Sequence, residues 1–391
     1  MPSRVLFHVQ YLLGIGHLQR SLRIAEALVD AGLAVTLAQG GPPLPEIMPA
    51  RGIDLVQLPP IRARDATFAL VDRSGSPVDD ALRAERRATL LAVFDQTRPD
   101  AVVIEGFPFA RRGFRFELDP LIAAARAAGV PVVCSVRDIP TVRPDPDRLA
   151  AVVARVRAEF AAVLVHGDAG FIPFDASFPS APQIADRLHY TGYVTAEQTA
   201  GVLPALSSEA SGRDARGPRH DGEILVSVGS GAAGRLLLTA ALDARRQGCV
   251  PDRPWRILAG ASPSAAEIEE IRAVAPPGVI IERFRPDFAS LLGRCHVSVS
   301  QAGYNTVLDI LAARTRSVLV PFAAERETEQ LIRAEHLAAR GATVLLRESE
   351  LTPAALAAAI ERAAASEPRP LPLATDGARR SAALIAGLVA R

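Results

Sequence analysis
The chain has 391 residues, 49% of them hydrophobic, and its 44 basic and 43 acidic residues leave a net charge of +1. That length suits two ordinary domains with sizeable cores, and the balanced charge offers no footing for a polyanion such as nucleic acid. No run of 18 apolar residues is present to cross a bilayer, and the N-terminal MPSRVLFHVQYLLGIG, with one Arg and no small-residue cleavage site, reads as a first buried strand instead of a signal peptide.

The chain opens with an expected strand, Val5 to Gln10, then the loop Leu13-Gly14-Ile15-Gly16-His17, then a helix from about Leu18 to Ala31. Its apolar residues Leu18, Leu22, Ala25 and Leu28 keep helical spacing. Strands are expected at Ala34 to Ala38, Ile53 to Leu58, Ala101 to Glu105, Val130 to Val136 and Ala162 to His166. Helices are expected over Asp80 to Gln96, Leu121 to Ala128 and Leu149 to Phe160, whereas residues 61–80 are polar and read as a surface excursion. Residues 194–222 lack apolar periodicity and read as a linker. The strand–helix rhythm restarts at Glu223, with strands at Ile224 to Val228, Trp255 to Leu258, Val279 to Glu282, Val297 to Ser300 and Ser317 to Val320. The expected domains are 1–193, 223–375 and a final helix, 376–391. Such alternation specifies parallel α/β sheets, Rossmann-like, whose ligands bind at the C-terminal ends of the strands.

Two glycine loops sit at that edge. In the first, Gly14 and Gly16 let a ligand approach the backbone at a helix start, although a tight turn alone would also use them. His17 there can serve as a base near neutrality or cap the helix. The second, Val228-Gly229-Ser230-Gly231-Ala232-Ala233-Gly234, matches a dinucleotide fingerprint. That reading requires an acid at the end of the next strand, but the strand ends in Ala259-Gly260-Ala261. The loop is therefore read as amides and a hydroxyl, Ser230 to Ala233, cradling a diphosphate, with Gly229, Ser230, Gly231 and Ala232 as donor-site candidates.

The stretch Val297 to Ala334 concentrates the remaining polar residues at strand ends and helix starts: Gln301, Gly303, Asn305, Thr306, Asp309, Glu329 and Gln330. Gly303 can take positive φ in the turn, and Asn305 or Thr306 can cap the following helix. This stretch resembles the donor half of GT-B glycosyltransferases, in particular family 28, the family of the N-acetylglucosaminyl transferase of peptidoglycan lipid II synthesis. In that family a Gly-x-x-Thr turn precedes a helix, and an acid six positions after the glycine holds the ribose. Gly303, Thr306 and Asp309 match, with Asp where the family usually has Glu. Pro321-Phe322 and Glu329-Gln330 match a strand end and an acid/Gln-Gln pair facing the donor sugar. Phe284 or Arg285 stands where the family's backbone contacts the base, although a strand-end Phe is more often core. The Gly16-His17 pair matches a Gly-His pair near the acceptor, and Glu105 and Asp138, at strand ends, are candidates to assist His17 or replace it.

The resemblance implies two Rossmann-like domains facing across a cleft, the first for an acceptor and the second for a UDP-sugar. It implies inverting transfer with no metal and no cofactor, on a small-molecule or lipid-linked acceptor. All the basic residues are arginine, which excludes lysine Schiff-base chemistry and a Walker-type phosphate lysine. Cys134, Cys249 and Cys295 are far apart and fit buried thiols in the cytoplasm. Arg111 and Arg112, near Phe107, Phe109 and Phe114, could touch an acceptor or a membrane surface, but read more simply as a solvated loop over buried aromatics. A nucleotide-sugar 2-epimerase of the same fold and a non-catalytic sugar-nucleotide-binding protein stay open as rivals, although the epimerase's own acidic and histidine motifs are not evident.

Overall fold
The computed structural model describes residues 2–12, 15–44, 51–64, 69–140, 145–195, 222–228, 233–260, 263–283, 285, 287–322 and 328–390. The chain divides into two compact units, Met1–Ala196 with Leu373–Arg391, and Glu197–Pro372. The first unit runs β1 (Arg4–Val9), α1 (Gly16–Asp30), β2 (Ala34–Gln39), β3 (Ile53–Gln57), β4 (Arg62–Ala63), β5 (Leu70–Val71) and α2 (Asp80–Thr97). It continues with β6 (Ala101–Glu105), α3 (Arg115–Ala127), β7 (Val132–Arg137), α4 (Pro146–Glu159), β8 (Ala162–His166) and β9 (Leu188–Tyr190). The second unit runs β10 (Ile224–Ser227), α5 (Ala233–Arg246), β11 (Trp255–Leu258), α6 (Ala265–Ala273), β12 (Val279–Glu282) and α7 (Phe288–Arg294). Then come β13 (Val297–Ser300), α8 (Tyr304–Ala313), β14 (Ser317–Leu319), α9 (Glu329–Ala339), β15 (Val344–Leu345) and α10 (Pro353–Ala364). The last helix, α11 (Gly377–Val389), belongs to the first unit.

Among the described residues the first unit's main sheet is β3-β2-β1-β6-β7-β8-β9 and the second unit's is β12-β11-β10-β13-β14-β15. Every pairing in both is parallel. The two-residue period of a strand feeds both faces. In the first unit Leu6, Val102, Ile104 and Val163 join one core with Leu90, Leu118 and Val152 of α2, α3 and α4. Val5, Phe7, Val103 and Leu164 join the other, closed by Leu18 and Leu28 of α1 and by Ala382 and Ile385 of α11. In each unit the strand order reverses once, between β1 and β6 and between β10 and β13. At such a reversal the loops leaving neighbouring strands diverge to opposite faces and open a crevice.

Residues 61–80, expected as a surface excursion, are partly built into the fold. Ile61, Ala63 and Val71 are buried, and β4 pairs antiparallel with β5. The apolar residues are too sparse there to give a readable period. The third helix begins at Arg115, six residues before its expected start, and carries Pro120 inside it. A proline so near a helix start removes one N–H and is tolerated where packing holds the turn. Here Leu118 and Leu121 are fully buried and Glu117 is locked by charge.

That lock is a buried ion pair. Arg86 of α2 is wholly buried and binds both carboxylate oxygens of Glu117 at 2.7 Å. It also donates to the Gly40 and Pro59 carbonyls and to Gln10 Oε1. A Cβ at Gly40 would collide with Gln10 and with this guanidinium, so the close approach requires glycine there. Farther along the sheet His166 is sealed between two hydroxyls, Ser135 Oγ at 2.7 Å from Nε2 and Thr191 Oγ1 at 2.9 Å from Nδ1. The single Thr191 hydroxyl proton is directed at the Val165 and Gly192 carbonyls, so the oxygen accepts from Nδ1–H, and Nε2 accepts from Ser135. Burial, helped by the positive charge of Arg20 and weakly opposed by Glu105, lowers the His166 pKa to about 3.

Two expectations follow. Arg86→Met strands the Glu117 carboxylate and should cost about 3–5 kcal/mol in urea unfolding, part of it regained when Glu117→Gln is added. His166 binds its proton near pH 6.5 when unfolded and only near pH 3 when folded. Stability should therefore fall as pH drops below about 6.5, by up to about 1.4 kcal/mol per pH unit from this group. Denaturant midpoints between pH 7.5 and 5 check this, a window above the carboxylate range, and His166→Gln should reduce the slope, leaving the share that His17 contributes in the same window.

Candidate active site
In the first unit α1 starts at Gly16, with Ile15 as its N-cap, no side-chain cap and no acid in its first turn. His17 is its second residue, and Arg20, three residues on, shares its face. Strand β6 lies beside β1, so its last residue, Glu105, ends where α1 begins, at the reversal of strand order. The three side chains meet there. Glu105 Oε1 is 2.7 Å from His17 Nδ1 and 2.5 Å from the Arg20 guanidinium. The second Glu105 oxygen faces Arg111 at 3.8 Å. The Glu105 side chain is 1% exposed and that of Arg20 3%, whereas the His17 ring keeps 23% of its surface open.

The electrostatics fix the protonation. Burial works to raise the Glu105 pKa, but the pull of His17, its hydrogen bond, Arg20 and Arg111 outweighs it and holds the group well below the usual carboxylate range. Glu105 is thus an acceptor, and Nδ1 of His17 must be the donor to it. The Arg20 nitrogen 3.3 Å from Nδ1 then contributes charge, not a hydrogen bond to the ring. Burial, together with Arg111 and Arg137, lowers the His17 pKa to about 4 in spite of the Glu105 charge. At neutral pH the ring is uncharged, with Nε2 able to accept a proton. Asp138, one residue beyond β7, is fully buried and accepts from its neighbouring Ile139 amide and from the Tyr193 hydroxyl. Glu105 is the carboxylate held at hydrogen-bond distance from His17. Phe107, Phe109 and Phe114 are core residues, Phe109 packing edge-on against Phe174 and Phe178.

In the second unit the turn after β13 leads from Gln301 into α8. Gly303 is the N-cap with φ −64°, not positive φ, and neither Asn305 nor Thr306 caps the helix. Both lie inside the first turn, so their side chains are carried past the cap position by a helix that starts at Tyr304. Asn305, Thr306 and Asp309 are half-buried on α8, and Gln301 is buried. Glu329 opens α9 and is buried with Arg333, whose guanidinium lies 2.9 Å from its carboxylate. Gln330 Oε1 accepts from the amides of Ala302 and Phe322, each at 3.1 Å. Gly14, Gly229, Ser230, Gly231, Ala232 and Phe284 lie outside the described residues. The sequence reading passed over Arg20 and Arg333, although their spacings, three residues from His17 and four from Glu329, place each on the face of a residue it had singled out.

Residues 224–388 match the family described as glycosyltransferase family 28 C-terminal domain. A protein of Xanthomonas axonopodis pv. citri (strain 306), UDP-N-acetylglucosamine--N-acetylmuramyl-(pentapeptide) pyrophosphoryl-undecaprenol N-acetylglucosamine transferase, is 28% identical over 378 residues, 95% of this chain and 78% of its own. Among solved structures, the kitacinnamycin glycotransferase is 18% identical with a TM-score of 0.61, covering 100% of this chain and 96% of its own. Acinetobacter baumannii MurG is 17% identical with a TM-score of 0.58, covering 99% of this chain and 100% of its own. The likeness runs through both units and the family match through most of the second and on into α11, so the chain is a glycosyltransferase of GT-B fold that carries a family 28 C-terminal domain.

Proposed function
We propose that the protein transfers a sugar from a UDP-sugar to an acceptor hydroxyl, with inversion and without a metal. The observation that supports this most is the His17 ring, open to solvent on one side and held through Nδ1 by Glu105 at 2.7 Å. In this reading Nε2 takes the proton of the acceptor hydroxyl as the oxygen attacks the anomeric carbon. Glu105 fixes the tautomer and stabilises the imidazolium that forms. The second unit holds the donor, with Asp309 on the ribose hydroxyls, and Gln301, Asn305 and Thr306 around the nucleotide. The leaving diphosphate rests on helix-start amides, which at α8 carry no side-chain cap. The UDP-sugar assignment follows the Xanthomonas relative, a UDP-N-acetylglucosamine-dependent transferase whose acceptor is a pyrophosphoryl-undecaprenol. We accordingly propose a cytoplasmic enzyme acting on a small-molecule or lipid-linked acceptor, with peripheral membrane contact in the second case. The direct test is a screen of UDP-sugars against acceptors in EDTA, with the anomeric configuration of the product read by NMR. Activity that needs added magnesium, or a retained configuration, contradicts the proposal.

His17→Ala should lower turnover by about 100- to 10,000-fold while UDP affinity and melting temperature stay near wild type. Near-normal turnover with a lowered melting temperature would make His17 a helix-start residue only. Because its folded pKa is about 4, the acid limb of kcat/KM should lie well below pH 6.5. Asp309→Ala should weaken UDP binding by about 1.5–3 kcal/mol, the worth of a hydrogen bond to a charged group. Unchanged affinity in calorimetry removes the ribose role.

A further inference from the structure
The turn between β13 and α8 is held from outside. Ala302 is fully buried, so its peptide groups must find partners within the protein. Both partners come from α9. The Ala302 amide donates to Gln330 Oε1 at 3.1 Å, and the Ala302 carbonyl accepts from the Arg333 guanidinium at 3.0 Å. The same Gln330 oxygen takes the Phe322 amide, which ties the end of β13 to the end of β14. Arg333 is 1% exposed, is matched in charge by Glu329, and lies 5.5 Å over the ring of Tyr304, the first residue of α8. Since Gly303 adopts a backbone conformation open to any residue, the direction in which α8 leaves the sheet is set by these contacts and not by glycine.

We propose that Gln330 and Arg333 are positioning residues for the donor nucleotide: they act through the β13–α8 turn, which aims the first-turn amides of α8 and Asp309. This rests on the donor reading given above. Gln330 spends the two lone pairs of its carbonyl oxygen on backbone amides, which fixes its side chain to the ends of β13 and β14. A lysine at position 333 would keep a positive charge beside Glu329 but lose the fork that reaches the Ala302 carbonyl at the same time.

The test compares wild type, Gln330→Met and Arg333→Lys by calorimetry with UDP alone and with the UDP-sugar that wild type binds most tightly in the screen. Both variants should lose affinity for UDP by about tenfold, and for the UDP-sugar by the same factor, with melting temperatures within a few degrees of wild type. Full UDP affinity with weakened UDP-sugar binding means a direct sugar contact and overturns the inference, as does unchanged binding of both ligands. Should Gln330→Met fail to fold, Arg333→Lys gives the same comparison. Wild-type protein that binds neither ligand defeats the donor reading itself, and the inference falls with it. Wild-type binding that both variants retain defeats the inference alone.

Discussion
A carboxylate without water must be answered by positive charge, and Glu105 is such a carboxylate, placed at the end of β6 where the strand order reverses. Arg20 answers it from α1 and Arg111 from the following loop. Between them the His17 ring takes the remaining direction and has its tautomer chosen by the bond it donates. The constraint runs outward from there. The start of α1 is held against β6 by charge as well as by packing, and the strand-end loops of the first unit are arranged around one fixed negative point. Electrostatic placement of this kind needs no reorganisation when a proton moves, which is the condition under which a neutral imidazole serves best as a base.

The second unit solves the same placement problem through its backbone. Its turn after β13 is secured by backbone amides and a carbonyl meeting Gln330 and Arg333 of α9. The absence of lysine has a structural counterpart in both units. Arg86 and Arg333 are nearly inaccessible, and each meets two or more partners set at angles to one another. A planar fork satisfies several such partners from one buried position, whereas an ammonium is a point charge that retains its hydration shell.

Much of the architecture was legible because buried parallel strands and amphipathic helices write themselves as short apolar runs and a helical period. Ala101–Glu105, Ala162–His166, Trp255–Leu258 and Val297–Ser300 fall where that pattern places them. The candidate edge was legible too, since the polar residues cluster at strand ends. What escaped was of two kinds. Short elements such as β4, β5 and β9 carry too few residues for any period. Partners distant in sequence have no local signature: Glu105 is 88 residues from His17, Glu117 is 31 from Arg86, and Gln330 is 28 from Ala302. The expectation of positive φ at Gly303 failed because glycine permits that conformation without requiring it, and the tertiary contacts from α9 had already chosen another.

The return of α11 to the first unit makes the second unit an insertion within the first. During synthesis the ribosome completes all of β1 to β9, then the whole second unit, before it supplies Ala382 and Ile385 to close the face of α1. The second unit holds all its own elements once α10 has emerged, while the first still waits for α11. Completion of the core beneath α1 is therefore delayed by the translation time of a whole domain.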